Sequence, residues 1–359
     1  MTPEEITTLR LYNQNISEKR YTDVAELVKW MVAFQSQDYT QSKWALGARL
    51  DKSSDAEIEK AFEERKIIRS WPLRGTIHIT AAEDLHWINE LIGPGMIVRA
   101  AGRNKQLELD EKIYNKSLKV IAGFLEGQKQ STREEISEEL ARYRIYAEGV
   151  RLSHILQRAG LENLLSYGQR RGKDFTYTLL DDRVGKKNMV KEDALAELAG
   201  RYINSRGPAS LADFTWWSGL SAPDARKAFQ LVKEKFIEVK SGNDVFLLAP
   251  EIKVPEDNKD RIFLLPAFEE YLLAYKDRSA CLENGHFSKV ISNNGIFNPI
   301  IVFNGKVIGI WKRTITKNKV SVNTQLFVSL KTAQKKAVKE EAEKFADFLN
   351  LKLDAEKLF

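Results

Sequence analysis

Twice along this sequence, about seventy to eighty residues apart, three amphipathic helical stretches run into a short pair of strands, and such a recurrence is an internal repeat. In the clearer copy one helix leads to Leu125 and a second opens at Thr132, with Glu135 three residues on in a capping-box pattern. A turn falls at Gly149, a third helix spans Val150 to Ala159, and the strand-like segments LENLLSYG and FTYTLL follow, joined by QRRGKD. From about residue 190 the order returns. A helix reaches Ile203, another follows Pro208 with Ser210 and Asp213 as its cap, Gly219 marks a turn, and a helix runs from Pro223 to Lys235. FIEVK and VFLLA around SGND close it. Three helices and a hairpin is the winged-helix order.

The N-terminal region reads as a looser third copy. Val24, Leu27, Val28 and Met31 have helical spacing with Thr22 as the expected N-cap, and Ser54 with Glu57 opens a second helix. Thr76, His78 and Thr80 alternate with Ile77 and Ile79 as a strand, followed by an expected capping box at Thr80 and Glu83. After Pro255 the chain changes to the strand-like runs RIFLLP, NPIIVFNG, KVIGIWKR and KVSVNTQLFVSL, with Asn304-Gly305 as a hairpin turn, and then a helix over Ala333 to Leu349. The expected fold is α+β: three tandem winged-helix units and a small C-terminal β domain with a terminal helix. The expected divisions are 1–105, 106–185, 186–254 and 255–359. Without a long Gly/Ser linker, the units are expected to dock on one another.

Composition removes several functional classes. The 359 residues carry 56 Lys+Arg against 50 Asp+Glu, a formal charge of +6, which permits a polyanionic partner without identifying one. A single cysteine, Cys281, and four histidines show neither CxxC nor HExxH spacing, so no metal or other cofactor is expected. There is no eighteen-residue apolar run, and MTPEEITTLR has acidic residues where an export signal would be basic and then apolar. A cytoplasmic, nucleoid-associated monomer with no membrane partner is the expectation.

The third helices of winged units are the usual groove readers. In the second unit Arg151, His154 and Arg158 fall outward once Leu152, Ile155, Leu156 and Ala159 face the core. In the third, Arg226, Gln230 and Lys233 do. A solvated helix face has the same composition, so these residues alone leave phosphate contact and plain solvation open. The first unit differs: residues 51–66 hold six acidic side chains against four basic, which repels a phosphate backbone. Contact there falls to the loop FQSQDYTQSKWALGARL and the strand SWPLRGTIHIT, on which Arg74, Thr76 and His78 share one face. Lys276, Arg278, Lys312 and Arg313 are further phosphate candidates, and Trp44, Trp71, Trp216 and Trp217 are expected in the core. In the loop, Gln35 and Gln37 are two apart, so they converge only where the chain has left the helix. A polar helix end that satisfies free carbonyls is the other reading of that stretch.

Taken together, FQSQDYTQSKWALGARL, RGTIHIT, LLPAFEEYLLAYKDR and GIFNPIIVFNGKVIGIWKR resemble the AlkZ/YcaQ family of bacterial winged-helix DNA glycosylases over most of the chain. The resemblance implies three tandem winged helices with a C-terminal β domain, and monofunctional removal of N-alkylated purines from double-stranded DNA, including the unhooking of interstrand crosslinks. It implies that Gln35 and Gln37 are the catalytic QxQ pair, as in the AlkZ branch, with Asp38 in support. One departure is Glu269-Glu270, where the family pattern has Asp-Glu.

A glutamine has no proton to exchange near neutrality, yet its carbonyl accepts and its amide donates, so a pair can aim a water. A purine alkylated at N7 or N3 is already cationic and leaves without acid assistance. Positioning the nucleophile and stabilising the oxocarbenium are then enough. The competing reading is a non-catalytic winged-helix protein that regulates transcription or sequesters lesions.

Overall fold

The computed structural model describes residues 1–127, 129–180, 184, 187–250, 252 and 261–359. The capping boxes at Ser54, Thr132 and Ser210 all form, each hydroxyl accepting from the backbone N–H three residues on. The box at Thr80 does not: its hydroxyl donates to the Val32 carbonyl instead, and a 3-10 turn at Ala82–Asp84 intervenes before the next helix. Thr22 likewise yields to Asp23, which accepts from Ala25 and Glu26 and caps the helix Val24–Met31.

The N-terminal region begins with α1 (Pro3–Asn13) and α2 (Val24–Met31). A short strand β1 (Ala33–Gln35) leads to α3 (Tyr39–Gly47), α4 (Asp55–Glu63) and the hairpin β2 (Ile67–Leu73) and β3 (Thr76–Ala81). A long helix α5 (Leu85–Gln106) ends the region near the expected division after residue 105. The stretch expected as a loop after Phe34 is thus mostly helix, because Asp38 accepts from Gln41 N and caps α3. The second region comprises α6 (Glu111–Leu125), β4 (Ser131–Thr132), α7 (Arg133–Arg142), α8 (Gly149–Leu161), β5 (Leu165–Tyr167) and β6 (Thr176–Leu179). The third comprises α9 (Lys191–Arg206), α10 (Leu211–Ser218), α11 (Ala222–Val232), β7 (Ile237–Ser241) and β8 (Asp244–Leu248). The divisions expected at 185/186 and 254/255, and Pro255 itself, lie outside the described residues.

One topology runs through all three regions. The sheets are ordered β1-β3-β2 and β4-β6-β5, and in the third region Ala209 bridges to Leu247 on β8, beside β7. In each, the chain enters the sheet after one helix, makes two further helices, and returns as a hairpin whose second strand lies in the middle.

The C-terminal region holds β9 (Ile262–Leu265), the short helices α12 (Glu270–Leu273) and α13 (Phe287–Val290), and the strands β10 (Ile300–Phe303), β11 (Lys306–Ile315) and β12 (Lys319–Leu326). α14 (Thr332–Phe348) and β13 (Lys352–Asp354) complete it. The sheet order is β13-β12-β11-β10-β9, with β13 parallel to β12 and the rest antiparallel. One face of the sheet packs mainly within its own region, where Leu265, Leu272, Val290, Ile300 and Ile310 cluster with Leu11 and Ile16, and the other face shares its core with the N-terminal region. Leu264, Ile301, Trp311, Val322 and Phe345 pack in one cluster with Leu27, Phe34, Trp44 and Ile58 of the N-terminal region. A second cluster joins Val32, Trp87 and Ile92 to Leu198, Tyr202, Phe214 and Trp217. The first region is therefore wedged between the third and the last. No helix among the described residues is long and apolar enough to cross a membrane.

The β10–β11 turn shows how tightly these parts meet. Asn304 and Gly305 both adopt positive φ, 47° and 77°, as a two-residue hairpin of this type requires. Gly305 also lies against α1, where a Cβ would come 2.3 Å from Thr7 Oγ1. Gly305→Ala is expected to destabilise the fold by more than about 1 kcal/mol, measured as a shift of the urea midpoint. An unshifted midpoint would show both that α1 can move aside and that the turn carries a Cβ at positive φ without strain.

Candidate active site

The site is built at a chain reversal. α2 ends at Met31, and Val32 takes φ 63° and ψ −53°, a costly conformation for a β-branched residue. The backbone on either side is gripped: Arg206 donates to the carbonyls of Met31 at 2.8 Å and Ala33 at 3.0 Å. Thr80 Oγ1 donates to Val32 O at 2.8 Å. The reversal delivers the chain into β1, where Gln35 pairs with His78 of β3. Gln37 lies two residues on in non-helical chain, so both side chains fall on one side, and Gln35 Nε2 donates to Gln37 Oε1 at 2.6 Å. The pair binds itself and Arg74 rather than capping helix carbonyls. Gln35 is buried and Gln37 exposed.

Arg74 determines which way the amides point. It sits in the β2–β3 turn at φ 51°, not on the strand, and its Nη2 donates to Gln35 Oε1 at 3.1 Å. A guanidinium only donates, so the Gln35 oxygen must face it. The Gln35 amide nitrogen then faces Gln37, which must present its own oxygen and leave its NH2 towards solvent. Arg74 Nη1 donates to the Trp217 carbonyl, tying the turn to α10.

His78 is fully buried rather than on an exposed strand face. Its Nδ1 lies 2.9 Å from Thr76 O and its Nε2 3.5 Å from Arg74 Nη2. The carbonyl requires the proton on Nδ1, so Nε2 turns its lone pair to the guanidinium. Burial, reinforced by the Arg74 charge, pushes the imidazole down to about 3. His78 is a neutral hydrogen-bonded post and not a phosphate contact. Thr76 is half-buried, and its hydroxyl bonds back to Leu73 O.

Beneath Gln35 lies Glu270. Its Oε1 accepts from Gln35 N at 3.3 Å, and its Oε2 accepts from Arg206 Nη2 at 2.7 Å and Trp217 Nε1 at 3.1 Å. Burial acts to raise this carboxyl, but the charges and hydrogen bond of Arg206, with Arg74 behind, hold it below its ordinary value. Glu269, beside it, pairs with the equally buried Arg49, whose Nε donates to Gln14 O at 2.9 Å. Reading the sequence singled out neither Arg206 nor Glu270 as part of the site. The available signal was Arg206 itself, a charge following Ala199, Tyr202 and Ile203 on the apolar stripe of α9.

The other expected contacts are distributed differently. Asp38 caps α3 and receives Arg313 Nη2 on both oxygens, at 3.2 and 3.3 Å, so Arg313 steadies the glutamine loop. The expected outward face of α8 is turned inward. Arg151 donates to Tyr146 O and Leu107 O, and His154 Nδ1 meets Asn104 Oδ1. Arg158 pairs with Glu111 and Glu162. α8 packs α5 and α6 on that side, a neighbour that periodicity within one helix does not reveal. Arg278 lies over the rings of Trp216 and Phe297 and donates to Leu272 O. Lys276, Lys312, Arg226, Gln230 and Lys233 are exposed. Trp44, Trp71 and Trp217 are buried as expected, but Trp216 is 46% exposed.

Comparison with known proteins gives a consistent picture. A family model described as DNA glycosylase AlkZ-like matches residues 28–348. An interstrand DNA cross-link repair glycosylase of Streptomyces sahachiroi is 23% identical over 330 residues, covering 86% of this chain and 87% of that protein. The solved structure of Streptomyces sahachiroi DNA glycosylase AlkZ shares the fold with a TM-score of 0.80, at 20% identity, over 98% of this chain and 99% of that one.

The buried imidazole makes stability depend on pH. An unfolded histidine titrates near 6.5, so below that the unfolded chain binds a proton that native His78 refuses until about pH 3. Stability is therefore greatest above the unfolded value and falls as pH is lowered, by at most about 1.4 kcal/mol per pH unit. Glu270, held low, adds loss of the same sign at still lower pH. Urea midpoints from pH 7 to pH 4 should show this slope, and His78→Gln should reduce it by about one proton. An unreduced slope would mean that the native imidazole protonates as readily as the free one.

Proposed function

The chain belongs to the DNA glycosylase AlkZ-like family, and on that premise we propose that it hydrolyses the N-glycosidic bond of cationic N-alkylated purines in double-stranded DNA. N7-alkylguanine is the leading substrate and N3-alkyladenine a second. Gln35 and Gln37 hold the attacking water. The observation that carries this reading is the 2.6 Å amide pair, directed by Arg74 and open to solvent at Gln37. Each glutamine oxygen keeps a second lone pair, so the two can accept both hydrogens of one water. That turns the water's own lone pair towards C1′.

As the C1′–N bond breaks, its electron pair returns to the purine ring and cancels the alkyl-induced charge. Water supplies the new C1′–O bond and gives up a proton to solvent. No group of the site need act as an acid: His78 is neutral and buried, and the nearest carboxylates, Glu270 and Asp38, are engaged with arginines. In this reading the three helix-and-sheet regions are tandem winged-helix units along the duplex. Lys276 and Lys312, with Arg226, Gln230 and Lys233, contact phosphates. The exposure of Gln37 supports an open site that admits adducts too large to flip out freely, including the crosslinks named for the Streptomyces relative.

In single-turnover assays on 7-methylguanine duplex, Gln35→Ala and Gln37→Ala are expected to slow release of free base about a hundredfold each, with DNA affinity little changed. Undiminished release would reject the glutamine assignment. Incubation with an N7-crosslinked duplex, followed on denaturing gels, should separate the strands. Activity confined to methyl adducts would reject the open-site reading.

A further inference from the structure

We propose that Arg69 is a positioning residue for the reaction, one that fixes the backbone between the two glutamines from the far face of the sheet. The inference rests on the glutamine pair being the group that holds the water. Register gives the geometry. Gln35, His78 and Ser70 are lateral partners across β1, β3 and β2 and point to the site face, whereas Phe34, Ile79 and Arg69 point to the other. Ser36, between the glutamines, faces away from them. Arg69 reaches it from β2: Nε donates to Ser36 O at 3.2 Å and to Ser36 Oγ at 3.1 Å, and Nη2 donates to Ser36 O at 2.8 Å. All three of its hydrogen bonds among the described residues end on that one residue.

The way Arg69 is held argues for a purpose other than stability. It is 5% exposed, and among the described residues no carboxylate pairs with it and its Nη1 has no partner. Burial without a counter-charge lowers its affinity for its own proton. Among the described residues only aromatic faces offset the charge: Tyr167 and Phe175 at 4.4 Å and Tyr39 at 5.4 Å. A buried cation of this kind is costly, and an apolar side chain among the same rings would be cheaper. What the guanidinium does that an apolar chain cannot is grip a carbonyl and a hydroxyl at one peptide with a planar fork. That peptide sets the spacing of the two amides, and a displacement of an ångström at a positioned group can cost about a hundredfold in rate. Tyr167 and Phe175 flank the β5–β6 hairpin, so the second region braces the loop that carries the amides of the first.

The test is single-turnover excision on 7-methylguanine duplex, with thermal midpoint and DNA affinity measured alongside. Arg69→Met should slow excision by between about ten- and a hundredfold, with DNA affinity within about twofold and an equal or higher midpoint. Arg69→Lys, which keeps charge but not the fork, should also be slow. In a Gln35→Ala/Gln37→Ala background, Arg69→Met should add little, because nothing remains to be positioned. A rate within about twofold of wild type overturns the inference, as does an equal loss in the glutamine-free background, or a loss that follows a falling midpoint or failure to fold. If the glutamine variants excise at full rate, the reading of the pair itself fails and Arg69 has nothing to position. If they are slow and Arg69→Met is not, only the role of Arg69 falls.

Discussion

The buried pair of Arg206 and Glu270 organises this molecule. Both side chains are essentially inaccessible, and desolvating two charges is expensive enough that the pair survives only because nearly every polar atom in it is used. Arg206 takes the carbonyls of Met31 and Ala33, the Ser205 hydroxyl and the carboxylate. Glu270 takes Arg206, the Trp217 indole and the Gln35 backbone N–H. One interaction thus joins α9, α10, the start of α12 and the reversal between α2 and β1. Removing either partner would leave the other charge uncompensated, at a cost of about 3–5 kcal/mol, and removing Arg206 would also free the carbonyls on either side of Val32.

From that anchor the polarity of the site follows outward. Arg206 holds Glu270, Glu270 holds the Gln35 backbone, Arg74 holds the Gln35 carbonyl, and Gln35 donates to Gln37 at the surface. The Arg206–Glu270 charges stay in the interior, and the group of the glutamine pair that reaches solvent is the neutral amide of Gln37. Such an arrangement suits a leaving group that brings its own positive charge, since only orientation and a preset field are then required. The same network spans regions far apart in sequence, and so the N-terminal region shares its core with both the third region and the last.

Several arginines elsewhere serve packing rather than display. Arg158 between Glu111 and Glu162, Arg151 on the Leu107 carbonyl and Arg10 over the Tyr275 ring all sit at joints between helices. A helix presents one face to its own bundle, and its other face is free only if no second bundle lies against it. In this fold α8 meets α5 and α6 there.

Local chemistry made much of this protein readable from sequence. Ser54, Thr132 and Ser210 open helices because a hydroxyl satisfies a free N–H within three residues. Asn304-Gly305 turns a hairpin because both positions tolerate positive φ, and the repeat shows in periodicity because each unit must bury a helical stripe. The spacing of Gln35 and Gln37 stated the condition for their nearness, a chain that has left the helix, but a polar helix end fitted the same residues, and the strand β1 decided between them. What only the tertiary structure decided are the contacts across long separations: Glu270 under Gln35, Arg206 around Val32, Arg74 on the Gln35 oxygen, and His78 sealed from solvent. Those depend on which surfaces three similar units and a sheet bury against one another, and no pattern within a single helix or strand records its distant neighbour.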